Sequence, residues 1–103
     1  MVKIGIYPGT FDPMTKGHLN IIKRSLKIVD KLIIGVADNL NKKPLLSIDE
    51  RKDIIINDIN FLELNNKKIE IYSVKGLLTE FAKNHNADCI IRGLRAVSDF
   101  EYE

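Results

Sequence analysis

A short stretch near the N-terminus combines residue types that bind phosphate groups. Gly9 and Thr10 open the run GTFDP, where a glycine lets a ligand approach the backbone closely beside a hydroxyl. Gly17 and His18 close the run TKGH, which places an imidazole in the first turn of a helix, and helix N-termini favour anions. A turn at Gly9 and a half-exposed polar His18 would explain each motif singly. The two motifs together favour an anion site.

Three further segments carry lysine, arginine or glycine, and each follows an apolar run. They are residues 38–44 with Lys42 and Lys43, residues 75–78, and residues 92–95. Ligands of an open parallel sheet bind beyond the carboxyl ends of its strands, so these segments and residues 8–18 would line one basic pocket. We expect an anionic ligand, most simply a phosphate compound. Neither the Gly-Lys-Ser/Thr phosphate loop nor the Gly-x-Gly-x-x-Gly fingerprint is present in the sequence.

The elements that position these segments alternate regularly. Apolar, β-branched runs predict strands at residues 2–7, 31–37, 69–73 and 88–92. The helical spacing of apolar residues predicts a first helix that runs to Asp30, and it is formed by Leu19, Ile22, Leu26 and Val29. A capping-box pattern at Ser47 predicts a second helix to about Asn60, and a third helix covers residues 77–84. Such alternation needs crossover connections, so we predict a doubly wound parallel α/β fold with the order β-α-β-α-β-α-β.

Length and composition are those of one globular domain over residues 1–103, with 45% hydrophobic and 29% charged residues. The net charge of +2 is too small for a general polyanion-binding surface, so we expect no nucleic-acid partner. Cys89 is the single cysteine, which excludes a disulfide and a cysteine-based metal site. The sequence has no signal peptide and no run long enough to cross a bilayer, so we expect a cytoplasmic protein without a membrane partner.

The end of the sequence predicts a helix that has barely begun. Residues 98–101 repeat the capping-box pattern, yet the sequence stops at Glu103. One helical turn is not stable alone, and the fourth apolar strand would lack a covering helix. We therefore expect that the last part of this single domain is missing from the chain.

Three stretches resemble a known enzyme family, and the similarity covers the whole chain. The Thr-x-Gly-His element within YPGTFDPMTKGH, residues 7–18, is similar to that of nucleotidyltransferases of the T/HxGH type, which have a Rossmann-like sheet. NKKPLLSIDER, residues 41–51, and IIRGLRAVSDFEYE, residues 90–103, further resemble bacterial phosphopantetheine adenylyltransferases. The last stretch separates that family from nicotinamide-nucleotide adenylyltransferases and cytidylyltransferases, which share the histidine element.

The resemblance implies adenylyl transfer from ATP to 4'-phosphopantetheine, which gives dephospho-coenzyme A and pyrophosphate in coenzyme A biosynthesis. The nucleophile is already an anion, so the protein mainly aligns repelling phosphates and offsets developing charge, without a covalent intermediate. By resemblance, His18 contacts the α-phosphate and stabilises the transition state. Thr10 positions the nucleophile and belongs to both the acceptor and the ATP sites, and Phe11 lies near the nucleotide.

Further site residues follow from the same resemblance. Lys42 and Arg92 match residues that hold the acceptor and its phosphate, and Leu78 matches a position beside the pantetheine arm. The matched nucleotide-binding positions are Gly93, Leu94, Arg95 and Glu103. Without the motifs, Lys42 would be a solvated lysine and Leu78 a core leucine. An arginine at the end of a buried strand needs a charge partner, such as a phosphate or Asp99, which favours ligand binding for Arg92 and Arg95.

A magnesium ion is expected to accompany ATP because the phosphate charge needs neutralising, although no carboxylate cluster in the sequence forms a dedicated metal cage. We assign Glu50 and Arg51 to a helix cap and an exposed turn, with no catalytic role. Members of the family form hexamers, and the same assembly is expected of the full-length protein. The family continues beyond Glu103 into a serine-bearing helix start that helps bind the ATP phosphates, so we expect weak or no turnover from this chain. Two alternatives remain: a related transferase with another phosphate acceptor, and a non-catalytic nucleotide-binding or assembly fragment.

Overall fold

Strands and helices alternate along the chain in the computed structural model, which describes residues 2–38, 43–64 and 68–92. In chain order they are β1 Ile4–Gly9, α1 Lys16–Ser25, β2 Lys31–Ala37, α2 Ile48–Phe61, β3 Ile69–Val74, α3 Leu78–Asn84 and β4 Cys89–Ile90. The predicted order of strands and helices is confirmed. None of the helices within these ranges is both long and apolar enough to span a lipid bilayer.

The described strands form one parallel sheet with the order β3-β2-β1-β4. β2 pairs with β1 on one side and β3 on the other, and its residues 32–36 are buried. The path of the chain across the sheet reverses between β3 and β4. The neighbouring exits of β1 and β4 therefore form the switch point at which open α/β sheets bind ligands. The predicted doubly wound α/β fold is confirmed.

Both faces of the sheet are covered, because right-handed crossovers place α1 and α2 on one face and α3 on the other. Ile34 of β2 belongs to a core cluster with Ile22 of α1 and Ile55 of α2. The next residue, Gly35, faces the opposite layer, where an added Cβ would lie 3.8 Å from Phe81 of α3. The three isoleucines have no exposed surface, and burial of each contributes about 1.5–3 kcal/mol. Alternate residues of β2 thus hold both helical layers against the sheet.

Helix α1 is shorter than the predicted helix, because it ends at Ser25 and not at Asp30. The Ser25 hydroxyl donates to the Ile21 carbonyl at 2.7 Å, and the amides of residues 28 and 29 donate to the Ser25 carbonyl in a turn. Val29 lies in this turn, and its side chain is buried in the core. The predicted boundary was wrong because a turn can return an apolar side chain to the core at a spacing that also suits a helix.

The strands next to the switch point also differ from the predicted ranges. β4 contains only Cys89–Ile90, although the Ile91 amide still donates to the Ile6 carbonyl at 2.7 Å. β1 continues through Pro8, which was expected to end it. The carbonyls of Ile4 and Ile6 accept hydrogen bonds from the β4 side, and every second residue of a strand faces the same neighbour, so Pro8 also faces that side. Pro8 lies beyond the last paired residue of β4, so its missing N–H costs the sheet no hydrogen bond.

Candidate active site

The carboxyl ends of three neighbouring strands surround one cavity of about 630 Å³. Its walls come from the exits of β1, β2 and β3, and the residues are Pro8, Gly9, Thr10, Gly35, Ala37, Asp38, Val74, Lys75, Gly76 and Leu78. This volume lies within the range of small-molecule binding sites. The structure therefore brings three of the four strand exits named from the sequence around a ligand-sized space.

Two of the predicted site residues line this cavity. Thr10 is exposed, and Leu78 is half-buried in the first turn of α3, where it forms cavity wall. Gly76 turns the chain between β3 and α3 with a φ of 84°, a conformation in which an L side chain would be strained. The Lys75 ammonium lies 3.7 Å from the Asp38 carboxylate, so the formal charges in the described lining cancel.

His18 caps the helix on which it lies. The Thr15 amide donates to His18 Nδ1 at 2.9 Å, and the His18 amide donates to Thr15 Oγ1 at 3.3 Å, which forms a capping box with histidine at the third helical position. A backbone N–H can only donate, so Nδ1 must hold a lone pair. The neutral ring therefore carries its proton on Nε2, which remains as a donor for a ligand.

The environment of His18 favours this neutral form. Partial burial lowers the pKa of the His18 imidazole below its ordinary value of 6.5, because the charged ring loses solvation. Protonation would also turn Nδ1 into a donor that faces the donating Thr15 amide. At neutral pH the group is an uncharged hydrogen-bond donor, which suits contact with a phosphate oxygen better than proton abstraction.

Phe11 supports the His18 ring from the core. The ring centroids of Phe11 and His18 lie 4.9 Å apart, and Tyr7 packs edge-on to Phe11 at 5.3 Å. A Cβ on Gly9 would lie 3.0 Å from Phe11 Cε2, so the glycine makes room for this ring. Phe11 is only 1% exposed, with a φ of 49°. The buried side chain of Phe11 therefore packs against His18 and does not face a ligand. The predicted contact of Phe11 with the nucleotide would have to come from its backbone.

Asp12 joins the loop after β1 to the loop before α2. One carboxylate oxygen accepts from the Leu45 amide at 2.6 Å and the other accepts from the Leu46 amide at 2.8 Å. These are bonds to an ionised acceptor, which are stronger than neutral ones. The Asp12 side chain thus holds two loops of the site together, although it does not line the cavity.

Arg51 lies in a different place from the predicted exposed turn, because it is buried with 2% exposure. Its Nη1 donates to the carbonyls of Thr10 and Ala37, both at 2.9 Å. The sequence did contain the signal, since Arg51, Ile55 and Ile59 recur every four residues on the buried stripe of α2. The predicted cap role of Glu50 is confirmed by reciprocal bonds with Ser47 at 3.0 and 3.1 Å.

The remaining predicted site residues belong to the second and fourth strand exits and to the end of the sequence. Arg92 is exposed, so the expectation that it is buried at the strand end was wrong, and its role in binding the acceptor stays a prediction. Five further predicted site residues, and the possible charge partner Asp99, lie outside the residues that the structure describes. The five are Lys42, Gly93, Leu94, Arg95 and Glu103. Their assignment rests on the sequence alone.

A parallel α/β sheet, a ligand-sized cavity at its carboxyl edge and a capped histidine in the helix after β1 are the features that the sequence motifs led us to expect of a nucleotidyltransferase. The chain belongs to the cytidylyltransferase-like family, whose model matches residues 6–103. It is 55% identical over 98% of its length to the phosphopantetheine adenylyltransferase of Wolbachia sp. subsp. Brugia malayi, and 52% identical over 99% to that of Caulobacter vibrioides strain NA1000 / CB15N.

The chain spans 59% of the Wolbachia relative and 62% of the Caulobacter relative. Its fold also matches the crystal structure of a bifunctional NMN adenylyltransferase/ADP ribose pyrophosphatase from Francisella tularensis. That match has a TM-score of 0.75 and 24% identity, and covers 99% of this chain and 34% of the other. At this identity the structural match supports only the shared fold. The information about the branch of the family comes from the identities of 55% and 52% to the two phosphopantetheine adenylyltransferases.

Proposed function

We propose that the protein carrying this chain transfers an adenylyl group from ATP to 4'-phosphopantetheine, giving dephospho-coenzyme A and pyrophosphate. The observation that carries the proposal is the neutral, capped His18 in the first turn of α1, on the segment that follows the cavity-lining residue Thr10. His18 itself is not among the residues that line the cavity. The choice of acceptor rests on the 55% identity to a relative named for that substrate.

In this reaction a phosphate oxygen of the acceptor forms a bond to the α-phosphorus of ATP. The bond from that phosphorus to the bridging oxygen breaks, and pyrophosphate leaves with the electron pair. The attacking oxygen is already an anion, so no general base is needed, and catalysis consists of alignment and charge stabilisation. The Nε2–H of His18 donates to an α-phosphate oxygen, where negative charge develops in the transition state.

The acceptor occupies the cavity in this proposal. Thr10 positions its phosphate, and Leu78 contacts the pantetheine arm, which suits a wall formed largely by apolar atoms and backbone. Lys42 and Arg92 bind the acceptor phosphate, and the nucleotide is bound by Gly93, Leu94, Arg95 and Glu103. The roles of these last residues are proposed from the resemblance.

Magnesium is proposed to enter with ATP and not as a resident ion. Among the residues that the structure describes, no three histidine, cysteine, aspartate or glutamate side chains converge in a way that could hold a metal. The described chain therefore does not fit a dedicated metal site, and no step is assigned to the ion. We also propose a cytoplasmic location and a homo-oligomer for the protein that carries this chain.

The test is product formation by the protein as expressed from its native gene. We expect pyrophosphate release with ATP and 4'-phosphopantetheine, together with dephospho-coenzyme A by mass spectrometry. Nicotinamide mononucleotide and glycerol phosphate serve as matched phosphate acceptors. Faster turnover with either of them would assign the chain to a related transferase. Binding of ATP without pyrophosphate release from any of the three would favour a non-catalytic nucleotide-binding module.

A further inference from the structure

Arg51 is a charged residue in a position that core packing alone would give to an apolar one. It lies on the same stripe of α2 as Ile55 and Ile59, and its exposure is 2%. Burial of a guanidinium is costly unless its donors are satisfied, and well-packed apolar residues often replace buried charges without loss of stability. No buried side-chain nitrogen or oxygen of the described residues lacks a hydrogen-bond partner. An apolar residue could fill this position, so the hydrogen bonds of the Arg51 side chain serve a purpose other than packing.

Those bonds join two strands at the point where their ladder ends. β1 and β2 pair in register up to Gly9 and Val36, so Thr10 and Ala37 are the next opposed residues. Arg51 Nη1 donates to the carbonyl of each of these two residues at 2.9 Å. One nitrogen thus bridges the two strand exits where direct pairing has stopped. Both exits line the cavity.

The arginine is itself oriented by the start of its own helix. Arg51 Nε donates to the Ser47 carbonyl at 3.3 Å, and Ser47 is the N-cap of α2. The guanidinium is planar and holds its donors in a fixed fork, so the bond at Nε determines where Nη1 points. The N-terminus of α2 is therefore coupled to the backbone of Thr10.

We propose that Arg51 is a positioning residue for adenylyl transfer, which acts by holding the main chain of Thr10 so that its hydroxyl meets the acceptor phosphate. The proposal rests on the proposed function. Arg51 makes no substrate contact in it, because its three bonds are to main-chain carbonyls. A displacement of about 1 Å at a reacting group can cost about 100-fold in rate, so loss of the bridge should be visible in kcat.

Three substitutions separate positioning from simple stability. Arg51→Met replaces the guanidinium by an unbranched apolar side chain and removes every bond, whereas Arg51→Lys keeps the charge and can still reach one carbonyl. Lys52→Met is the matched control, because it makes the same chemical change one residue along α2, outside the buried stripe. We expect kcat to fall about 30- to 300-fold in Arg51→Met and less in Arg51→Lys, with the KM for ATP nearly unchanged and Lys52→Met close to the wild type.

A double-mutant cycle with Thr10→Ala provides a readout that a structural role would not change. If Arg51 acts through Thr10, the variant that combines Arg51→Met with Thr10→Ala will lose little more kcat than Thr10→Ala alone. Multiplication of the two separate losses would overturn the proposal. The Thr10 methyl resonance, recorded without ligand on folded Arg51→Lys, is expected to shift, and an unchanged resonance would also count against it. This measurement does not depend on the acceptor, so it separates failure of this proposal from absence of adenylyl transfer in the wild type.

Discussion

Replacement of His18 by glutamine tests whether the histidine acts as a neutral donor. A glutamine at the third helical position can accept from the Thr15 amide through Oε1 and still offer an N–H, as Nδ1 and Nε2 of His18 do. We therefore expect His18→Gln to keep kcat within about tenfold of the wild type. His18→Ala removes the donor and should lose about 10²–10³-fold in kcat, the usual effect of deleting one oxyanion donor.

The two variants should also differ in stability, and the structure indicates by how much. His18→Ala loses the bond from the Thr15 amide, about 1 kcal/mol for a cap, and the Phe11 ring contact, about 0.5–1.5 kcal/mol. His18→Gln loses only the ring contact. Since 1 kcal/mol changes Tm by about 4–8 °C in a domain of 60–100 residues, thermal unfolding resolves the difference.

The assay is steady-state pyrophosphate release, well below the lower Tm, for both variants and a control at the second histidine. His85 packs on Phe81 with ring centroids 4.3 Å apart and is not among the residues that line the cavity, so His85→Gln should leave kcat unchanged. If His18→Gln were as stable as expected but as inactive as His18→Ala, the neutral-donor mechanism would be refuted. A charged or proton-transferring histidine would then be required.

Three other perturbations have defined outcomes. The pKa of His18 is lower in the folded state than in the unfolded state, so the unfolded state binds more protons as the pH falls. The contribution of His18 to the free energy of unfolding is therefore full above pH 6.5 and is lost as the pH falls through the lower, folded-state pKa. Urea midpoints from pH 7.5 to 5 should show this slope in the wild type and a weaker one in His18→Gln. Asp12→Asn removes one of two charge-assisted bonds, because the amide NH2 cannot accept, and leaves the other without its charge. It should cost about 1–2 kcal/mol in urea unfolding and raise the acceptor KM, and an unchanged KM would show that these loop bonds do not affect the site. Gly9→Ala places a Cβ against the Phe11 ring, so the free energy of unfolding measured by calorimetry should fall by about 1–3 kcal/mol. We also expect a lower kcat, and a kcat equal to that of the wild type would show that the Phe11 ring does not position His18.

Local patterns in the sequence predicted the elements of this fold well, because each pattern is satisfied by neighbours along the chain. The capping box of Ser47 and Glu50 placed the start of α2, and its observed range, Ile48–Phe61, ends one residue after the predicted end. A histidine at the third position of α1 is a variant of the same signal, but the Thr-x-x-His spacing was interpreted only as a ligand motif. The predicted end of α1 failed because turns and helices can share one apolar spacing.

The sequence by itself determined the order of the elements and the family, and it predicted a site that contains Thr10 and His18, since motif, capping and periodicity are short-range properties. Only the tertiary structure decided which contacts hold that site in place. The Arg51–Thr10 bond joins residues 41 apart, and the Asp12 bonds reach 33 and 34 residues along the chain. Such partners are chosen by strand register and helix docking, which no local pattern specifies. The carbonyls of Thr10 and Ala37 likewise come together, beyond the last pair of the β1–β2 ladder, only when the sheet has formed, and only then can both accept from Arg51.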